Sequence, residues 1–226
     1  MKNNNSLIIR LRFSIISSLL LLCFLAGNYL FAGTELLANE DPTIRSAEAR
    51  RLGNEGIKEA VPALIGALKD EITGVRINAV VSLGKLKDER AIAPLIEILN
   101  NDRVVAARVM AAEALGHFDR EDAKEAVLKA SGSKDENVRY SAALSLGRVG
   151  GERAVDKLME MAGADKHWSV RQVALSTLAN IVEEHREGRD KRRIIEKVIK
   201  RARRDESKDV RHSASALLKK LEKIPK

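Results

Sequence analysis

The strongest constraint on the fold is a repeat that runs through the chain from residue 41 onward. An aliphatic residue followed by Arg recurs six times, at 44–45, 75–76, 107–108, 138–139, 170–171 and 210–211. The successive spacings are 31, 32, 31, 32 and 40 residues. Leu stands eight residues after the first member of every pair, and Gly follows that Leu in the first four. A fixed period of this length predicts a solenoid of stacked units.

Each repeat unit is predicted to contain two helices. The positions zero, four and eight steps along from the first member of each pair lie on one face of a helix. A second apolar set precedes each pair, as at Val61, Leu64 and Leu68. No run of alternating apolar and polar residues between turn signals indicates a strand. The sequence therefore predicts an all-α solenoid of about five helix pairs, with a lone N-terminal helix at about residues 41–53.

The first 32 residues differ in character from the repeats. Three basic residues precede a stretch, 13–32, that has no charged residue and holds four of the seven aromatic residues. A basic start followed by an apolar run is typical of an export signal. The run is also long enough to span a bilayer without being cleaved. We therefore predict a signal peptide or signal anchor at 1–32, a linker at 33–40 and a repeat domain at 41–226. The expected location is extracytoplasmic, either periplasmic or secreted, or anchored in the membrane.

Aspartates in the turns complete the repeat motif. Four of them stand five residues before a pair, at Asp70, Asp102, Asp165 and Asp205. Early Pro in one helix (Pro62, Pro94), Asp in the turn, and then Val-Arg, Ala and Leu-Gly in the next helix resemble the HEAT repeat. The short unit is similar to the repeats of the phycobilisome-lyase group. This resemblance covers about residues 41–222 and implies a right-handed, armadillo-like superhelix.

The resemblance also implies a role for the repeated arginines, because HEAT repeats pair such residues with turn aspartates of neighbouring units. The six arginines are Arg45, Arg76, Arg108, Arg139, Arg171 and Arg211. In one unit Ser133 stands in place of the turn aspartate. An anion-binding ladder is the alternative interpretation. We favour a structural ladder, since Asp70, Asp102, Asp165 and Asp205 supply matching carboxylates.

A candidate binding surface lies on the side of each second helix that points away from the predicted core. Positions two and six steps along from the first member of each pair lie there, because a helix advances 100° per residue. In the middle repeats five of these six positions are apolar, namely Ile77, Val81, Val109, Tyr140 and Leu144, and the sixth is Glu113. HEAT solenoids line a concave surface with their second helices, so these residues are predicted to bind a protein or peptide partner. The alternative is that they pack against first helices or adjacent repeats.

Positive charge is concentrated at the C-terminal end. The chain has a net charge of +8, and residues 186–226 contain 16 Lys+Arg against 7 Asp+Glu. The cations that we single out beside an apolar stripe are Lys197, Lys200, Arg201, Arg203 and Arg204. They are predicted to dock on an anionic membrane surface, an acidic protein or nucleic acid; a solvated face on a capping unit is the alternative. Nucleic acid is disfavoured, because stacking needs aromatic residues, and we expect Trp168 to fill space between repeats.

No catalytic or metal-binding motif stands out. The four His residues lack metal-ligand spacing, and the single Cys lies in the leader. We therefore predict a non-catalytic scaffold with no cofactor and no metal. The resemblance leaves one alternative, an enzyme or lyase-like subunit of the bilin-lyase type, which depends on repeat shape alone.

Overall fold

The computed structural model describes residues 34–184 and 189–222, so the proposed leader at 1–32 lies outside the described residues. Within those ranges every regular element is helical. The α-helices are α1 Pro42–Asn54, α2 Val61–Ala67, α3 Thr73–Leu86, α4 Ile92–Asn101, α5 Val105–Leu115, α6 Glu121–Ala130, α7 Glu136–Val149, α8 Gly151–Ala164, α9 Trp168–Glu184, α10 Arg189–Ala202 and α11 Lys208–Glu222. Short 3₁₀ turns span Glu35–Ala38, Lys58–Ala60 and Glu89–Ala91. None of the helices in the described part of the chain is long and apolar enough to cross a membrane.

The helices form two layers. The odd-numbered helices α1 to α11 make the second-helix layer, in which each helix contacts the next. The even-numbered helices α2 to α10 make the first-helix layer, and each packs on the odd-numbered helix that follows it. This arrangement confirms the predicted all-α solenoid of about five helix pairs preceded by a lone helix.

The core is aliphatic and repeats with the units. Ala at the fourth step is fully buried in α3, α5, α7, α9 and α11, and Leu at the eighth step is buried in every second helix except the last. In α11 the buried residue is Leu217, and the expected Leu218 is only partly buried. Val210 and Ala214 are buried as predicted, so only the last position of the stripe in α11 differs from the prediction. Residues 34–40 also contribute to the fold, since Leu37 packs against the core.

Small residues allow successive second helices to approach closely. A Cβ added to Gly84 would lie 2.8 Å from the Cβ of Ala114, which is too close for two carbon atoms. Buried serines also join these helices. Ser82 Oγ donates to the carbonyl of Ala49 at 2.7 Å, and Ser145 Oγ donates to the carbonyl of Ala112 at 3.0 Å. The Leu-Gly step of the repeat is thus a site of helix contact.

Four arginine–aspartate pairs join successive turns along one edge of the solenoid. Nε and Nη2 of each arginine donate to the two carboxylate oxygens of the next turn aspartate at 2.7–3.1 Å. Nη1 of the same arginine donates to the backbone carbonyl six residues upstream. The pairs are Arg45–Asp70, Arg76–Asp102, Arg139–Asp165 and Arg171–Asp205. We call them the arginine ladder.

The arginine ladder keeps its carboxylates ionised. The hydrogen bonds from their arginines hold the pKa values of Asp70, Asp102 and Asp205 below the usual range. Burial of Asp165 opposes its ionisation, but the hydrogen bonds from Arg139 and from the backbone N–H of His167 outweigh burial and lower its pKa too. All four pairs therefore carry full charges at neutral pH.

The predicted ladder needs correction at two of its six arginines. Arg108 Nη1 donates to the carbonyl of Asp102 at 2.7 Å, in register with the other arginines. Ser133 has no carboxylate to offer, however, so within the described residues Arg108 has no acidic partner. Arg211 donates to the carbonyls of Asp205 and Glu206, and no further helix pair follows it among the described residues.

Candidate partner-binding surface

Five apolar residues lie on the outward face of three neighbouring second helices. Helix α3 contributes two of them, α5 one and α7 two. They are Ile77, Val81, Val109, Tyr140 and Leu144, and we call them the apolar patch.

Side-chain hydrogen bonds to backbone carbonyls hold these helices in register. Ser141 Oγ on α7 donates to the carbonyl of Val109 on α5 at 3.0 Å. This bond aligns Tyr140, the neighbour of Ser141, with Val109 on the adjacent helix. Asn78 Nδ2 makes the equivalent bond from α3 to the carbonyl of Ser46 on α1 at 3.1 Å. These bonds therefore hold α7 in register with α5, and α3 in register with α1.

The apolar patch is not uniformly exposed. Tyr140 is 38% exposed and Leu144 is 40% exposed, which is unusual for large apolar side chains. Ile77, Val81 and Val109 are half-buried, and Ile77 and Val109 pack against the core. Both sequence interpretations thus apply to parts of the patch. Its accessible part is the two larger side chains on α7, while the β-branched residues of α3 and α5 contribute to packing.

Charged side chains lie beside the patch. Glu113 is four residues after Val109 on α5, and it pairs with Arg148 of α7 at 3.5 Å. Lys85 Nζ on α3 donates to Asn54 Oδ1 on α1 at 2.7 Å. Burial lowers the pKa of the nearby His117, and the charges of Arg148 and Lys87 lower it further, against the opposing effect of Glu113. Arg148 and Lys87 are therefore cations close to His117.

The flanking second helices present mainly polar residues at the matching positions. These are Ser46 and Arg50 on α1, Gln172 and Ser176 on α9, and His212 and Ala216 on α11. The apolar patch is therefore confined to the middle of the layer. A surface with an apolar centre and a polar rim is the usual anatomy of a protein-binding site.

The exposure of Trp168 differs from the sequence prediction. Trp168, expected to fill space between repeats, is 41% exposed. It stacks on His167 with ring centroids 6.1 Å apart, and the His167 ring in turn contacts Glu136 at 3.2 Å. Trp168 is the first residue of α9, where the chain has only just left the turn, so its side chain is not enclosed by helices on both sides.

The predicted basic surface lies on the C-terminal half of α10 and directly after it. Its five cations are Lys197, Lys200, Arg201, Arg203 and Arg204, and all are exposed. Among the described side chains, no carboxylate forms an ion pair with any of them. Four of the five, together with Asp205, line an open cleft of about 490 Å³. Because Asp205 is already bound by Arg171, it does not neutralise this surface.

The described residues hold no group of three or more His, Cys, Asp or Glu that could ligate a metal ion. The sites that the structure does bring together are an apolar patch, an arginine ladder and a basic end.

Comparison with known proteins identifies the repeat. A model of HEAT repeats matches residues 33–109 and 102–179. The chain is similar to a chain of the CpcE–CpcF complex of phycocyanin lyase from Nostoc sp. PCC7120, with 23% identity over 67% of this chain and 98% of that chain and a TM-score of 0.56. It is also similar to an archaeal HEAT-like repeat protein from Thermococcus onnurineus NA1, with 16% identity over 88% of both chains and a TM-score of 0.55.

A third similar structure is a chain in the complex of Kap95p with RanGDP, at 18% identity and a TM-score of 0.57, covering 85% of this chain and 29% of that one. No protein of curated function matches the sequence. At these identities the structural likeness establishes the fold alone. Because the HEAT model matches more than half of the sequence, and the helix pairs and turn positions agree with it, the chain belongs to the HEAT-repeat family.

Proposed function

We propose that this HEAT-repeat protein is a non-catalytic scaffold that binds a protein or peptide partner on the apolar patch. The single observation that carries the proposal is the pair of large apolar side chains, Tyr140 and Leu144, exposed side by side on α7. Exposed apolar residues of this size, surrounded by polar ones, are characteristic of protein-binding surfaces.

The arrangement also favours a partner that is held without deforming the scaffold. The hydrogen bonds between second helices fix the backbone beneath the patch, so little conformational entropy is lost on binding. Buried aromatic and aliphatic anchors supply most of the binding energy in such interfaces. Tyr140 is therefore the expected principal contact, with Leu144 beside it.

A site-specific photo-crosslinker in place of Leu144 in the native cell tests the proposal. We expect one discrete crosslinked product, and we expect none from the same group in place of Glu125 on the exposed side of α6. The double variant Tyr140→Ala/Leu144→Ala should reduce recovery of that partner at least tenfold, because both anchors are lost.

The matched control is Trp168→Ala, which removes an equally exposed aromatic side chain outside the patch. It should leave partner recovery unchanged. If the double variant retains full recovery while its thermal midpoint equals that of the wild type, the apolar patch is not the binding surface.

The basic end supports a second candidate function, docking on an anionic membrane surface. The supporting observation is that five exposed cations have no ion-pair partner among the described side chains. Binding to vesicles containing phosphatidylserine should weaken steeply as salt is added, since attraction between exposed charges is screened. Replacing Lys197, Lys200 and Arg204 by Gln should abolish this dependence. Binding that is insensitive to salt in the wild type would exclude the electrostatic role.

We further propose that the protein is exported, and is either released by cleavage near residue 32 or tethered by its N-terminal segment. The support is the basic start and the uncharged stretch 13–32. The intact mass and protease accessibility of the native protein test both alternatives. A shortened soluble species outside the cytoplasm indicates cleavage, a full-length membrane species digestible from outside indicates tethering, and a protected cytosolic species refutes export.

A lyase-like subunit is the remaining alternative. The likeness to the phycocyanin lyase structure is one of fold, and it does not carry an activity to this chain. A chromophore or metal retained in stoichiometric amount through purification would favour this alternative over a scaffold.

A further inference from the structure

The turn between α6 and α7 differs from the other turns of the arginine ladder. At four turns an aspartate occupies Nε and Nη2 of an arginine from the preceding repeat. At this turn the equivalent residue is Ser133, and the equivalent arginine is Arg108. Arg108 is also less buried than Arg76 and Arg139, each of which is 5% exposed.

The guanidinium of Arg108 is nevertheless held as in the complete pairs. Its Nη1 donates to the carbonyl of Asp102 at 2.7 Å, the same bond that orients Arg76 and Arg139 through their own upstream carbonyls. The two donors that face a carboxylate elsewhere, Nε and Nη2, have no protein acceptor among the described residues. They are not enclosed, since the described part of the chain contains no buried polar side-chain atom without a partner.

The turn backbone around Ser133 also keeps the geometry of the other turns. The carbonyl of Ser133 accepts from Arg139 Nη1 at 3.0 Å, as the carbonyl of Asp70 accepts from Arg76. Ser133 Oγ accepts from the backbone N–H two residues on, as the turn aspartates do. The Ser133 turn thus differs from the aspartate turns only in lacking a carboxylate. The position of that carboxylate lies next to the short, neutral side chain of Ser133.

Local charge favours an anion at this place. An acidic residue follows the turn aspartate in the Asp70 and Asp205 turns, as Glu71 and Glu206. In the Asp102 and Ser133 turns, which flank Arg108, the equivalent residues are Arg103 and Lys134. The nearby carboxylates are already engaged: Asp102 binds Arg76, and Asp135 accepts from the backbone N–H groups of Asn137 and Val138. Arg103 and Lys134 therefore place a cation in each of the two turns that flank Arg108.

We propose that Nε and Nη2 of Arg108 bind a carboxylate supplied by an acidic side chain of a protein partner. Four aspartates of this chain already show how a carboxylate fits the same arginine geometry, with two parallel N–H···O bonds. Arg108 immediately precedes Val109 of the apolar patch on α5. The inference depends on the proposed function only in assigning the carboxylate to a protein.

The chain supplies its own probe, an acetylated and amidated peptide with the sequence of residues 162–168, whose only acidic residue is Asp165. Titration at constant ionic strength is followed by the ¹H–¹⁵N signal of the Arg108 Nε–H group. We expect a saturable shift at Arg108 and none at Arg139, whose carboxylate partner is internal. The same peptide with Asp165→Asn should produce no shift.

Ser133→Asp is the decisive variant, because it places an internal carboxylate where the peptide would bind. We expect it to reduce the peptide response of Arg108 at least tenfold and to raise the thermal midpoint, so that an unfolded variant cannot be mistaken for a positive result. An unchanged response in Ser133→Asp would overturn the proposal. So would an equal response at the exposed Arg201, or a stronger response of Arg108 to inorganic phosphate than to the peptide.

The outcome separates this inference from the proposed function. The peptide titration reports on Arg108 alone and does not involve Tyr140 or Leu144. A normal titration with no effect of the patch variants on partner recovery refutes the apolar patch only. A failed titration with patch-dependent recovery refutes the carboxylate site only.

Discussion

Removing a ladder arginine is expected to destabilise the protein more when it leaves a buried carboxylate without its partner. The side chains of Arg76 and Asp102 are 6% and 3% exposed. Arg76→Gln would leave Asp102 buried with one remaining hydrogen bond, from the backbone N–H of Val104. Breaking a buried pair by removing one partner costs about 3 kcal/mol or more. Arg108→Gln removes only the bond to the carbonyl of Asp102, which is worth about 1 kcal/mol.

Urea unfolding followed by far-UV circular dichroism measures this difference. With a slope of about 2 kcal/mol per molar urea, the midpoint should fall by about 1.5 M in Arg76→Gln and by about 0.5 M in Arg108→Gln. Both variants keep the same helix positions and lose the same charge, so Arg108→Gln is a matched control. Equal losses in the two variants would refute the reasoning, because the carboxylate pair would then contribute nothing beyond the shared backbone bond.

Three further predictions concern packing and pH. Gly84→Ala should destabilise the fold by about 1–3 kcal/mol, because the added methyl group would clash with Ala114. Gly66→Ala should instead stabilise α2 by about 0.5–1 kcal/mol, because no atom lies near its added methyl group. Thermal denaturation of both variants measures these changes. Ser145→Ala should cost about 1 kcal/mol in urea unfolding, because it removes a buried hydrogen bond to the next helix. The ladder aspartates have lowered pKa values in the folded state, so their contribution should be complete above about pH 4, the unfolded value, and be lost as the pH falls through the folded values. A free energy of unfolding that stays constant from pH 5 to about pH 2 would contradict this last expectation.

The repeat itself could be predicted because its determinants are local. An arginine that binds the carbonyl six residues upstream, an alanine at the helix contact and a leucine in the core each recur at fixed positions, so six copies support one another. The last helix shows the limit of this reasoning. There Leu218 is only partly buried, whereas the equivalent Leu is buried in every other second helix. No further helix pair among the described residues covers it.

The exposure of individual surface residues could not be predicted in the same way. Helical periodicity places Val109 and Tyr140 on the same outward face, yet Val109 packs against the core and Tyr140 is exposed. The difference depends on side-chain length and on how closely neighbouring helices approach. The serine bonds that set this approach involve Ser82 and Ser145, each two residues before a repeat glycine. That recurrence was visible in the sequence and would have indicated the helix contacts.

The arginine ladder has a mechanical consequence. Each arginine binds the backbone of one turn and the carboxylate of the next, so a pull on one turn is transmitted to its neighbour through three or more hydrogen bonds. This chain of bonds is continuous from Arg45 to Arg108 and resumes at Ser133, where Arg139 binds the turn backbone. Under tension along that edge, the gap in the ladder should extend more easily than the bonded turns on either side of it. We expect the first extension along that edge to occur between the Asp102 and Ser133 turns, while the bonds from Ser141 and Ser145 still hold α7 against α5.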